Sequence, residues 1–128
     1  MGGNQVLDAS ALLAAMLDEP SGASVAGALD SSVMSAVNWS EVLHKAIGKG
    51  VDTNGLPAEL ESLGLEILPF GADEAELAAE LWPRTQLLGL SLGDRACLAL
   101  AQKLGVPAVT ADRSWTELEL EIDVRVIR

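Results

Sequence analysis

The chain has 128 residues, a formal net charge of −11 and one cysteine, Cys97. A domain of this length buries roughly two thirds of its unfolded surface, so it needs no disulfide or structural metal to form a core, and one cysteine excludes an intrachain bridge. The charge argues against tight nonspecific nucleic-acid binding, which depends on Lys and Arg neutralising phosphates.

The apolar fraction is 49%, Tyr is absent and Phe70 is the one Phe. Such a composition favours helices packed on buried strands over an all-β sandwich. No apolar run approaches the roughly 18 residues of a membrane span, and the Met1–Gln5 start lacks the basic end and apolar run of a secretory signal. The expectation is a soluble, cytoplasmic protein with no membrane partner.

A first strand is predicted at Gln5–Leu7 and a helix, apolar almost all round, at Ser10–Leu17. Asp8 stands between them, where a carboxylate buried alone would be costly. An Ala-rich helix is predicted at Ser21–Leu29 and a strand at Val33–Ala36. Trp39–Lys49 places Val42, Leu43, Ala46 and Ile47 at helical spacing. Leu56–Leu63 carries Pro57 in its first turn, where proline fits. A third strand is predicted at Leu65–Pro69. Ala72–Trp82 is acidic on one side and apolar on the other, and Pro83 is expected to end it. Leu92–Leu104 is apolar on most faces, stops at Gly105 and reads as the central helix. Strands at Ala108–Thr110 and Val124–Ile127 complete the chain. Strands alternating with helices imply an α/β layered fold with a mostly parallel sheet, and no linker divides residues 1–128, which read as one domain.

In open parallel sheets, ligands collect beyond the carboxyl ends of the strands. Four acids fall there: Asp8 after the first strand, Glu41 after the second, Asp94 opening the central helix and Asp112 after the fourth strand. Each has an ordinary explanation as a cap. Asn38 with Glu41, and Ser91 with Asp94, have capping-box spacing, and Asp8 and Asp112 could cap a helix and a turn. As a set they suggest more, because carboxylates brought together repel unless cations sit among them. Hard oxygen ligands suit Mg²⁺, with Mn²⁺ as the alternative, and the lack of a Cys–His cluster argues against zinc.

The segments "VLDASALLA", "NWSEVLHKA", "GLSLGDRACLALA" and "TADRSW" resemble, in order and spacing, the acidic signatures of PIN-domain nucleases, most closely the VapC-type toxins of type II toxin–antitoxin pairs. The resemblance spans nearly the whole chain. It implies a PIN-like three-layer α/β fold with a mostly parallel central sheet flanked by helices. It also implies metal-dependent endoribonuclease activity that leaves a 3′-hydroxyl and a 5′-phosphate. Asp8, Glu41, Asp94 and Asp112 take the catalytic and metal-binding places in that pattern, and Ser10 and Thr110 the supporting hydroxyls. A cognate antitoxin and a homodimer are the implied protein partners, with an exposed face of Leu12–Leu17 or the Ala-rich second helix as the candidate contact.

Arg95 and Arg113 each follow a site acid and are candidate RNA phosphate contacts; the competing reading pairs them with nearby carboxylates. His44 lies one turn after Glu41, but no second His and no nucleophile pattern accompany it as a general base. Cys97 reads as a small core residue, Trp39, Trp82 and Trp115 as core packing, and "ELELEID" from Glu117 as a solvated edge or a seat for a basic partner segment. Two rival functions stand beside the nuclease: a non-catalytic acidic module that docks a basic antitoxin-like peptide, and a phospho-aspartyl protein. The latter is disfavoured because Ser10 occupies the place where such phosphatases carry a second acid.

Overall fold

The architecture is that of a computed structural model describing residues 3–128; Met1 and Gly2, part of the start compared with a secretory signal, lie outside them. Five strands, β1 (Gln5–Leu7), β2 (Ser32–Ser35), β3 (Glu66–Leu68), β4 (Ala108–Thr110) and β5 (Val124–Val126), form one sheet in the order β3-β2-β1-β4-β5. Every neighbouring pair is parallel. Among the described residues, seven α-helices flank it: α1 (Ala9–Met16), α2 (Ala23–Ala26), α3 (Ala36–Gly48), α4 (Leu56–Ser62), α5 (Ala72–Glu80), α6 (Trp82–Thr85) and α7 (Leu92–Leu104).

Successive strand residues face opposite sides of a sheet, and the inner strands are apolar on both. Val6, Val33 and Ala108 pack with Ala78 and Leu81, with Cys97–Ala101 of α7, and with Trp115. Their neighbours Leu7, Met34 and Val109 pack with Leu12 and Leu13 of α1, Val25 of α2, Val42 of α3 and Leu60 of α4. This double-sided burial is why the strands read as short apolar runs without alternation. The alanines of α7 (Ala96, Ala99, Ala101) are buried and bring the helix close to the sheet. Among the described residues, no helix is long and apolar enough to cross a membrane.

The departures from the sequence reading have local causes. Ser35 ends β2 and caps α3, its Oγ accepting from Val37 N, so α3 starts at Ala36 and not at Trp39. The expected helix over Ser21–Leu29 is broken into a 3₁₀ turn at Pro20–Gly22, the single turn α2 and a second 3₁₀ turn at Leu29–Ser31. Gly22 is what allows the first turn to lie on α1, since a Cβ there would stand 2.4 Å from the Ala14 and Ala15 backbone. Pro83 does not end the helical run. It sits in the first turn of α6, where its missing N–H costs nothing. Trp82 is half exposed rather than core, whereas Trp115 is buried and Trp39 packs against the α1 side. The face of Leu12–Leu17 named as a contact surface is largely unavailable, because Leu12 and Leu13 are buried and only Leu17 is exposed. In "ELELEID", Leu118, Leu120 and Ile122 pack against the core while the acids between them stay exposed.

Candidate active site

The sheet order reverses between β1 and β4: the chain runs outward through β2 and β3 on one side, then returns to place β4 and β5 on the other. In such sheets ligands bind outside the carboxyl ends of the strands at the switch point, and Asp8 stands at that end of β1. Extended backbone at Asp8 (φ −84°, ψ 175°) makes it the N-cap of α1. Its Oδ1 accepts from Ala11 N at 2.9 Å and Ser10 Oγ at 2.7 Å, and its Oδ2 from Thr110 Oγ1 at the end of β4. Asp8 is only 4% exposed. Burial pushes its carboxyl up from the ordinary 3.8 to about 6, aided by the charge of Asp94 and opposed by the three hydrogen bonds.

Asp94 lies at the start of α7. Ser91 Oγ accepts from Asp94 N at 3.2 Å and Asp94 Oδ2 from Ser91 N at 3.0 Å, so the capping box expected from the spacing is formed. It engages only one carboxylate oxygen; Oδ1 accepts no hydrogen bond among the described residues. The box expected of Asn38 and Glu41 does not exist, because the true cap is Ser35 and both residues lie within α3.

Asn38 has a different task. It is 1% exposed, and its Nδ2 donates to Glu41 Oε1 at 3.0 Å and to Gly93 O at 2.9 Å, which ties α3 to the first turn of α7. Glu41 lies directly over Gly93, where a Cβ would stand 2.3 Å from its Oε1. The glutamate therefore rests at a helix N-terminus, where negative charge is favoured, beside Asp94. The charges of Asp8, Asp94 and Glu41 all act on the buried Cys97 thiol, which burial, and then these three carboxylates, push well above its ordinary pKa.

Asp112 is exposed and caps a 3₁₀ turn at Arg113–Glu117, with Oδ1 accepting from Ser114 N and Oγ. It joins Asp8 through the hydroxyls: Thr110 Oγ1 donates to Asp8 and accepts from Asp112 N, while Ser10 Oγ donates to Asp8 and accepts from Ala111 N. The two supporting residues named from sequence thus stitch β1 to β4 beneath the acids. Arg95 is committed elsewhere, its Nη1 donating to the Ala78 carbonyl near the end of α5. Arg113 makes no side-chain hydrogen bond or ion pair among the described residues. His44 lies exposed on α3. Asn38 and Gly93 are the residues that sequence reasoning missed as site residues. The available signal was the glycine inside a helix start, which costs about 1 kcal/mol against alanine and calls for a packing reason.

The donors at this edge are carboxylate and hydroxyl oxygens, a set that fits a hard divalent cation. Asp8 adds an energetic reason, since a cation would relieve a carboxyl held up by burial and a neighbouring charge. As the side chains stand, however, no three His, Cys, Asp or Glu among the described residues form a ready ligand set. Asp8 spends both oxygens on protein donors.

A parallel sheet of order 3-2-1-4-5, with an aspartate after its first strand and another after its fourth, defines a doubly wound α/β domain. The chain belongs to the PIN domain family, whose family model matches residues 6–120; PIN domains are generally nucleases.

Solved structures share the fold over nearly the full length. A DNA-bound VapBC from Salmonella typhimurium is 16% identical with a TM-score of 0.74, covering 98% of this chain and 99% of its own. A toxin–antitoxin complex from Klebsiella pneumoniae is 19% identical at 0.72, with 97% and 98% covered. VapBC-5 of Mycobacterium tuberculosis, a member of the VapBC family of toxin–antitoxin systems, is 25% identical at 0.61, with 98% of each chain covered. No curated protein matches the sequence.

Proposed function

We propose that this protein is a Mg²⁺- or Mn²⁺-dependent endoribonuclease of the cytoplasm, the toxin of a toxin–antitoxin pair, with residues 1–128 acting as one domain. The observation that carries the reading is geometric: Glu41 lies over Gly93 in the first turn of α7, next in sequence to Asp94, and Asp8 stands at the end of β1 at the switch point, in a chain whose structural relatives are toxin–antitoxin complexes. Asp8 and Asp94, with Glu41 and Asp112, would hold the cation. When bound, it supplies an activated water and neutralises charge developing at the phosphate.

The chain's own residues do the positioning. Ser10 and Thr110 fix the Asp8 carboxylate between two strands, the capping box fixes one oxygen of Asp94, and Asn38 holds Glu41 over Gly93. Ser10, which stands two residues after Asp8 where a phospho-aspartyl phosphatase would carry a second acid, counts against that role. The acidic edge is also suited to cover by a cognate antitoxin's basic segment, and self-association as a homodimer belongs to the same reading. Light scattering at micromolar concentration tests the dimer, and a monomer would remove it.

The deciding experiment incubates the purified chain with structured RNAs, with and without Mg²⁺ or Mn²⁺, beside Asp94→Asn. Metal-dependent cleavage lost in the variant is the expected result. Equal cleavage by the variant would remove Asp94 from the mechanism, and none by either protein would overturn the nuclease in favour of a non-catalytic acidic module.

A further inference from the structure

An open groove of about 490 Å³ lies beside Asp8, lined by Ser10, Ala111, Asp112, Arg113 and Arg128. Its members come from the carboxyl ends of three strands. Ser10 follows β1, Ala111–Arg113 follow β4, and Arg128 lies just beyond β5, whose register is held by Ile127 N donating to Thr110 O at 2.9 Å. The groove therefore leads outward along the sheet edge, and its inner wall, Ser10, is one hydrogen bond from the Asp8 carboxylate.

Its charge is unusual for this molecule. Lys and Arg number 8 against 19 acids, and several of the cations are spent elsewhere. Arg84 donates to the Glu119 carbonyl, Arg95 to the Ala78 carbonyl, Lys103 pairs with Glu74, and Arg125 with Asp123. Two arginines nonetheless line this one groove. Arg113 has no side-chain partner among the described residues, and Arg128 gives Nη2 to Glu19 Oε1 at 2.7 Å, which leaves its other N–H donors unengaged there. The one acid in the groove, Asp112, has Oδ1 already taken by Ser114. The guanidinium group is the protein's best match to the oxygens of a phosphate.

We propose that the groove seats a phosphodiester of the RNA strand adjacent to the one being cut, with Arg113 and Arg128 as its contacts and Glu19 as the tether that holds Arg128 at the rim. This rests on the ribonuclease reading and extends it by giving the strand a direction, from Asp8 across the ends of β4 and β5. It also explains how RNA settles on a chain of charge −11: two of its few cations line the groove beside Asp8.

The test compares Arg113→Gln, Arg128→Gln and Arg128→Lys with Arg125→Gln, a control of equal charge change on an exposed residue outside the groove. Binding of a short, labelled single-stranded RNA is followed by fluorescence anisotropy in EDTA over a salt series. Arg113→Gln and Arg128→Gln should each weaken binding about tenfold and reduce the log–log salt slope by about one, with Arg125→Gln close to wild type. Arg128→Lys should recover part of the affinity, and melting temperatures near wild type verify folding. In Mg²⁺ the groove variants should raise KM and leave kcat near wild type.

If Arg128→Gln binds RNA like Arg125→Gln, the groove assignment falls, while RNA cleavage by the wild type still upholds the ribonuclease. If the wild type cleaves nothing yet binds RNA through both arginines, the groove stands and the ribonuclease reading falls. Inorganic phosphate that raises the wild-type melting temperature through Arg128, with RNA binding indifferent to it, would reassign the groove to free phosphate and overturn the proposal.

Discussion

Asp8→Asn should make the metal-free protein more stable above pH 6, although it removes the central acid of the site. The Asp8 carboxyl is pushed from 3.8 up to about 6 in the fold. Below the lower value it is protonated in both folded and unfolded chains and costs nothing. As pH rises the unfolded chain ionises first, so folding loses stability until the folded carboxyl has also ionised, above about pH 6. At 1.36 kcal/mol per pH unit, the gap between the two values amounts to a penalty of roughly 3 kcal/mol at neutral pH.

Asparagine escapes this penalty. Its Oδ1 can still accept from Ala11 N and Ser10 Oγ, and its Nδ2 would face Thr110 Oγ1, whose own proton can turn toward Ser10 Oγ, 3.3 Å away. Rearranging that network costs about 1 kcal/mol, so the net gain is about 1–3 kcal/mol, or roughly 3–10 °C in Tm for a chain of this size. Thermal melts of both proteins from pH 4 to pH 8 in EDTA measure it. The curves should meet near pH 4 and separate as pH rises. Added Mg²⁺ or Mn²⁺ should raise the Tm of the wild type and not of the variant. Parallel pH profiles, or an Asp8→Asn chain less stable at pH 8 than at pH 4 relative to wild type, would refute the argument that burial of a charge dominates at this position.

Other substitutions probe the scaffold of the site. Gly93→Ala places a Cβ 2.3 Å from Glu41 Oε1; the carboxylate can swing aside, so stability should change by less than about 1 kcal/mol while RNA cleavage falls about 10- to 100-fold. Asn38→Ala removes the buried side-chain donor shared by the Gly93 carbonyl and Glu41, and denaturant melts should show a loss of about 1–2 kcal/mol together with reduced cleavage. Gly22→Ala would press a Cβ to 2.4 Å from the α1 backbone. Backbone cannot yield as a side-chain tip does, so a loss of more than about 2 kcal/mol is expected by urea titration. Asp18 ends α1 with a left-handed φ of 56° and a negative charge at the wrong end of the helix dipole. Asp18→Gly should raise stability by up to about 1 kcal/mol, read as a higher urea midpoint.

The correspondence between sequence and structure follows the range of the forces involved. Strands β1, β3, β4 and β5, with helices α4 and α7, were legible because apolar runs, Pro57 and Gly105 are local signals acting within a few residues. The Ser91–Asp94 box was legible for the same reason, being a three-residue motif. The start of α3 was misplaced because two capping residues competed, Ser35 and Asn38. Only the packing of Asn38 against the Gly93 carbonyl, 55 positions away, explains why the nearer motif is not used. The broken helix at Ser21–Leu29 failed likewise: its Ala content favours a helix, and contact with α1 overrides that preference through Gly22.

What the amino-acid order determined alone was the alternation of buried strands and helices, and with it the placing of Asp8 and Asp112 just after strands, since in a parallel sheet every strand presents its carboxyl end to the same side. What only the tertiary structure decided was which of those acids meet and on what terms. Thr110 reaches Asp8 across 102 positions, Glu41 comes to rest over Gly93, Arg95 is taken by the end of α5, and Arg128 is carried by β5 into the groove beside Asp112. Those pairings depend on distances through space between distant segments, and no local pattern of side chains encodes them.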